Sequence, residues 1–106
     1  MAWTYLFFAG ILECIWPIAL KESDGFTKIP ATSVALVSGL ISLLLLSFAM
    51  KDLPISTAYA IWTGLGATGV TIIGIFYYGE PASMSRVVSI SLIIAGIVGL
   101  RLFGTE

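Results

Sequence analysis

Charged residues cut the chain into four apolar runs. The first, Ala2 to Leu20, is broken only by Glu13; the others lie between Lys28 and Lys51, Asp52 and Glu80, and Arg86 and Arg101. A helix needs about 20 apolar residues to cross about 30 Å of hydrocarbon. The first three runs meet that length. The fourth has only residues 87–100 between its arginines, about 21 Å at 1.5 Å per residue. It spans if residues 82–85 join the helix and both arginines snorkel towards the interfaces. The pattern predicts an all-α protein of four transmembrane helices, at about residues 2–20, 29–50, 54–78 and 83–103, in a single transmembrane domain 1–106.

Short connections carry turn signals. Lys21-Glu22-Ser23-Asp24-Gly25 closes helix 1, with Gly25 available for a left-handed cap. Lys51-Asp52-Leu53-Pro54 separates helices 2 and 3, Asp52 being a suitable N-cap and Pro54 tolerated in a first turn. Gly79-Glu80-Pro81 ends helix 3. A secretory leader fits the N-terminus poorly, since it lacks a basic start and carries an acid in its apolar stretch. Counting Lys and Arg gives nearly no orientation bias: Lys21, Lys28 and Arg86 on one side, Lys51 and Arg101 on the other. Either a weak signal sets one orientation, or the chain inserts both ways and pairs with an inverted copy of itself.

Composition agrees with a lipid surround. The chain is 58% hydrophobic and 10% charged, with a mean hydropathy of +1.06, whereas a soluble domain carries about 25% charge. Net charge is −1 and the five basic residues are scattered, which excludes a nucleic-acid partner that needs clustered Lys and Arg. Histidine is absent and Cys14 is the lone cysteine, so neither an intrachain disulfide, a metal site nor a cofactor is expected. Cys14 reads as a small apolar filler.

Glu13 is the residue that demands chemistry. It lies a few ångströms from the bilayer midplane, where a charge costs a few kcal/mol. A proton or a small organic cation relieves that cost, and the two would compete for one carboxylate. A protonated Glu serving only as an interhelical hydrogen-bond donor is the structural alternative. Trp16 shares the face of Glu13, with Ala9 and Gly10 one turn earlier. Tyr59 and Trp62 lie three apart in helix 3, and aromatic faces stabilise cations by about 0.5 to 2 kcal/mol. Trp3, at a helix end, suits an interfacial belt instead. Ser38 and Ser42 form an i, i+4 pair in helix 2, Ser38 reading as helix–helix glue.

Gly64-Leu65-Gly66-Ala67-Thr68-Gly69 matches G-x-G-x-x-G, but that nucleotide motif needs a preceding strand and a soluble βαβ unit. In an apolar helix, Gly64 and Gly66 allow a bend or close packing. Ser91, Ala95 and Gly99 at four-residue spacing, with Gly96, make a small-residue stripe on helix 4, suited to dimerisation or to packing within the chain. Pro17 removes a backbone hydrogen bond and is expected to kink helix 1.

Glu13 in a helix ending Ala19-Leu20-Lys21, then Gly25-Phe26-Thr27, then Leu53-Pro54-Ile55-Ser56-Thr57-Ala58-Tyr59-Ala60-Ile61-Trp62-Thr63-Gly64 strongly resembles the small multidrug resistance family. Trp16 and Ser42 look like its guanidinium-exporter branch. Pro17 departs from the pattern, where a small residue is usual. The resemblance covers essentially the whole chain. It implies an antiparallel dual-topology homodimer in the cytoplasmic (inner) membrane, although some members pair with a second, related chain. It also implies proton-coupled export of guanidinium-like cations by alternating access, with a shared pair of Glu13 carboxylates. Glu13, Trp16, Ser42, Tyr59 and Trp62 would line the site, Ser42 and Trp16 bonding the carboxylate, and helix 4 would form the dimer interface. The alternatives are a broad quaternary-ammonium or lipophilic-cation exporter, an uncoupled channel, and a small structural membrane subunit.

Overall fold

The computed structural model describes residues 1–103. Four helices follow one another: α1 (Ala2–Glu22), α2 (Ile29–Ala49), α3 (Ile55–Phe76) and α4 (Met84–Phe103). Their 20 to 22 residues correspond to about 30–33 Å, and all four are long and apolar enough to cross a bilayer. The first three apolar runs supply α1 to α3 directly. The fourth helix begins at Met84 and passes Arg101, so both arginines of that run lie within helical turns.

α1 is the hub. It packs along α2 and α3, which scarcely touch each other, while α4 packs on α3. Small side chains permit this. The buried positions of α1 include Ala2, Ala9, Gly10 and Ala19, and those of α2 include Ala35, Ser38, Ser42 and Ala49. Between helices in lipid, close backbone approach replaces the hydrophobic drive that sorts a soluble core. Leu6 and Ile61 fill the seams, and the core is otherwise Ala-rich.

The resulting bundle is flat. Its extents are 44 × 34 × 16 Å, so its thinnest dimension is little more than one helix with its side chains, about 10–12 Å. α4 buries none of its residues. Large apolar side chains such as Leu40, Leu44, Leu92 and Val98 face outward, as a lipid-solvated surface allows.

Connections are locally satisfied. Ser23 is fully buried; its hydroxyl donates to the Leu20 carbonyl and accepts from the Phe26 amide. The chain then turns through Asp24, Gly25 and Phe26, all at positive φ, and Gly25 bears that conformation without a Cβ penalty. Pro30 sits in the first turn of α2 and Pro54 caps α3. After α3, Gly79 again takes positive φ, and the Glu80 amide returns to the Gly74 carbonyl at 3.0 Å. Pro17 lies inside α1, which continues through it as a single helix to Glu22.

Candidate functional site

Glu13 stands where α1 faces α2 and α3. The indole N–H of Trp16, one turn further along, donates to its Oε1. The i, i+3 spacing brings the two side chains onto one face, and the bond fixes the direction of the carboxylate. Gly66 of α3 lies directly beneath. A Cβ there would collide with Cγ of Glu13, so the missing side chain is what lets the acid lie along α3. Gly39 of α2 does the same more loosely for Trp16, whose Cγ would sit 3.7 Å from an added Cβ. Pro17 supplies no amide proton, so the Glu13 carbonyl lacks the donor that another residue four positions on would provide.

A second polar chain runs one turn below. Ser42 donates to the Ala9 carbonyl at 2.7 Å and accepts from Nε1 of Trp62 at 2.8 Å. One hydroxyl thereby ties α1, α2 and α3 together, with both of its hydrogen-bonding roles used. Trp62 is in turn covered by Tyr59, ring centroids 5.6 Å apart.

These groups border an open cavity of about 350 Å³. Its polar element is Glu13; Trp16 and Trp62 form aromatic walls, and Leu36, Leu40 and Leu43 of α2 close the far side. One carboxylate among aromatic and aliphatic surfaces suits a small cation. The carboxylate supplies charge and hydrogen-bond acceptors, and the rings supply their negative faces.

The structure therefore brings Glu13, Trp16 and Trp62 to one cavity. Ser42 differs from the expectation that it bonds the carboxylate: its hydroxyl is committed to Ala9 and Trp62, so it holds the aromatic wall instead. Tyr59 is 54% exposed and meets Trp62 rather than Glu13. Ser38, expected as interhelical glue, turns back to the Val34 carbonyl of its own helix at 2.5 Å. Gly64, Gly66 and Gly69 each receive a neighbour: Ile93 and Ile97 on Gly64, Glu13 on Gly66, Cys14 on Gly69. That is the close-packing use of the glycine run. On α4, Ser91, Ala95 and Gly96 are exposed and Gly99 is half-buried; a Cβ added at Gly96 or Gly99 would meet nothing within 4 Å.

Sequence reasoning missed the aliphatic wall of α2 and the seat at Gly39. The spacing of Ala35 and Gly39, two small residues four apart, was the available signal.

The family model described as Small Multidrug Resistance protein matches residues 1–93. The chain is 52% identical over 102 residues to a protein named guanidinium exporter from Yersinia pseudotuberculosis, covering 96% of this chain and 98% of that one. It is 49% identical to one of the same name from Salmonella typhimurium and 47% to one from Citrobacter freundii, each match covering 96% of this chain and 97% of the relative. With four membrane-crossing helices and a match along nearly its whole length, the chain is a multi-pass membrane protein, of the inner membrane in a bacterium, and belongs to the small multidrug resistance family.

Proposed function

We propose that the protein exports guanidinium or small guanidinyl cations in exchange for protons, with Glu13 as the common ligand. The observation that carries the reading is the Glu13 carboxylate, aimed by Trp16 into a cavity otherwise walled by rings and aliphatic chains. The exporter name shared by the relatives supports the choice of cargo. Guanidinium is planar and presents N–H donors in a fork that matches a carboxylate. A proton and the cation neutralise the same group, so binding of one excludes the other. Exclusion becomes antiport once the site opens alternately to the two sides of the membrane. Gly64 and Gly66, in the middle of α3, are the positions we assign to the bending that this requires.

The working unit we propose is an antiparallel dual-topology homodimer. A bundle 16 Å thick leaves the Glu13 cavity open on one face, and an open carboxylate among acyl chains is costly. A second copy laid over that face closes the cavity and brings two carboxylates near one another, coupling their proton binding. The bare stripe of Ser91, Ala95, Gly96 and Gly99 gives α4 a surface for close helix contact. The scattered positive charge permits both orientations.

The test is transport in proteoliposomes under an imposed pH gradient. Wild type concentrates guanidinium against its gradient; Glu13→Gln falls to background, with neither cation uptake nor substrate-driven proton movement. Robust proton movement in Glu13→Gln would refute the assignment of Glu13. A second reading, export of quaternary ammonium or other lipophilic cations, draws on the Leu36, Leu40 and Leu43 wall. Comparing guanidinium with a lipophilic aromatic cation in the same vesicles separates the two.

A further inference from the structure

A different face of α1 carries its own groove. It runs between α1, α3 and α4 and has a volume of about 250 Å³. Its walls are Trp3, Phe7, Ile61, Leu65 and Ile97, and Arg101 stands at its mouth. The Arg101 guanidinium lies 4.6 Å from the centre of the Trp3 ring. Phe7 and Leu65 also border a narrower continuation of about 70 Å³ beside Gly10 and Cys14. From Trp3 to Cys14 the depression follows α1 for about 16 Å at 1.5 Å per residue. That matches one leaflet of hydrocarbon, half of about 30 Å.

We propose that this groove is a binding site for an anionic phospholipid, one acyl chain lying along Phe7 and Leu65 and the headgroup phosphate held by Arg101. Three features choose the occupant. The groove is apolar along its length and cationic only at its interfacial end, the charge distribution complementary to an anionic lipid. Among the described residues the one ion pair joins Arg86 to Glu80, and Arg101 forms none with them. Trp3 lies against that guanidinium, 4.6 Å from ring centre to Cζ, at the end where indole rings and arginines both reside, and a planar fork suits phosphate oxygens. A cationic cargo is excluded here, because Arg101 repels it. The site is independent of the export reading, and its test does not use transport.

The full-length protein is reconstituted in phosphatidylcholine vesicles containing increasing fractions of either brominated phosphatidylglycerol or brominated phosphatidylcholine. Bromines quench nearby indoles, and the Trp3 signal is the difference between the protein and Trp3→Phe. The anionic lipid is expected to quench Trp3 at about fivefold lower fraction than the zwitterionic one. Arg101→Gln should erase that preference and Arg101→Lys should keep part of it. Lys51→Gln, which removes a positive charge from the same side of the membrane, should leave the preference unchanged. Equal quenching by the two lipids overturns the proposal, as does a preference that survives Arg101→Gln or falls equally in Lys51→Gln. Absence of quenching by either lipid also overturns it, placing a protein surface over the groove.

Discussion

α1 and α4 are apolar helices of 21 and 20 residues, yet one is enclosed on two sides and the other is nearly bare. Hydrophobicity does not separate them, since both are apolar enough to cross a bilayer. What separates them is what their small residues touch. Gly10 of α1 receives Leu65, and Gly66 and Gly69 of α3 receive Glu13 and Cys14. Gly96 and Gly99 of α4 receive nothing within 4 Å. In water the bare helix would be an error of folding. In lipid it is a helix with an open face, the one the proposed dimer would use, while α1 has used its own faces to position an acid.

The sharpest way to break this contrast is to add one methyl group on each side of it. Gly69→Ala places a Cβ into Sγ of Cys14, so that side chain must leave its seat between α1 and α3. Overpacking of this kind costs about 1–3 kcal/mol. Cys14→Ala in the same chain should return most of the loss, and a double-mutant cycle on unfolding in mixed micelles measures the coupling. Gly96→Ala meets open space and should be neutral or stabilising by up to about 1 kcal/mol, as alanine favours helix. Equal losses at Gly69 and Gly96 would remove the distinction between the two helices.

A bulkier change sharpens the other half of the contrast. Gly96→Leu starts from a position whose Cβ would meet nothing within 4 Å in the single chain, but it spoils the α4 stripe as a surface for close helix approach. The proposed dimer should weaken about tenfold, or about 1.4 kcal/mol, read by energy transfer between labelled chains as the protein-to-lipid ratio is lowered. Unchanged association would assign the stripe to lipid.

Much of the fold was legible because charge is scarce: each cluster of Lys, Asp, Glu or Arg marks an end, and what lies between must cross the membrane. Glu13 was legible for the same reason, as the one acid inside an apolar run, and Trp16 followed from spacing on the same helix. Ser42 was not. A hydroxyl on a helix chooses among partners by angle, and only the placement of α2 against both α1 and α3 turns it to Ala9 and Trp62 rather than to Glu13. Gly66 was legible as a place for a bend or close packing, but its partner Glu13 was not, and neither was the use of Gly39 beneath Trp16. A glycine's use depends on which neighbouring side chain arrives above it, and the chain's own pattern does not record that.

The smallest expected effect lies at the loop end, where α1 and α4 are tethered in different ways. Arg86 at the start of α4 pairs with Glu80 at 3.3 Å, an exposed ion pair of the kind that contributes about 0–1 kcal/mol. At the end of α1, Glu22 accepts a 2.5 Å hydrogen bond from the Tyr78 hydroxyl, and Lys21 lies 5.2 Å from the centre of that ring. The bond to Glu22 favours the neutral phenol and pushes the Tyr78 pKa up to about 12, against about 10 for a free tyrosine. The sign follows directly: the tether is complete below pH of about 10 and is lost as pH rises towards about 12. A phenolate titration by absorbance should therefore show one of the four tyrosines ionising late. Tyr78→Phe removes that late step and Glu22→Gln moves it down, each with only a small fall in thermal stability at neutral pH. A late step that persists in Tyr78→Phe would detach α1 from the end of α3, leaving the Ser42 bridge and the glycine seats to hold the hub together by themselves.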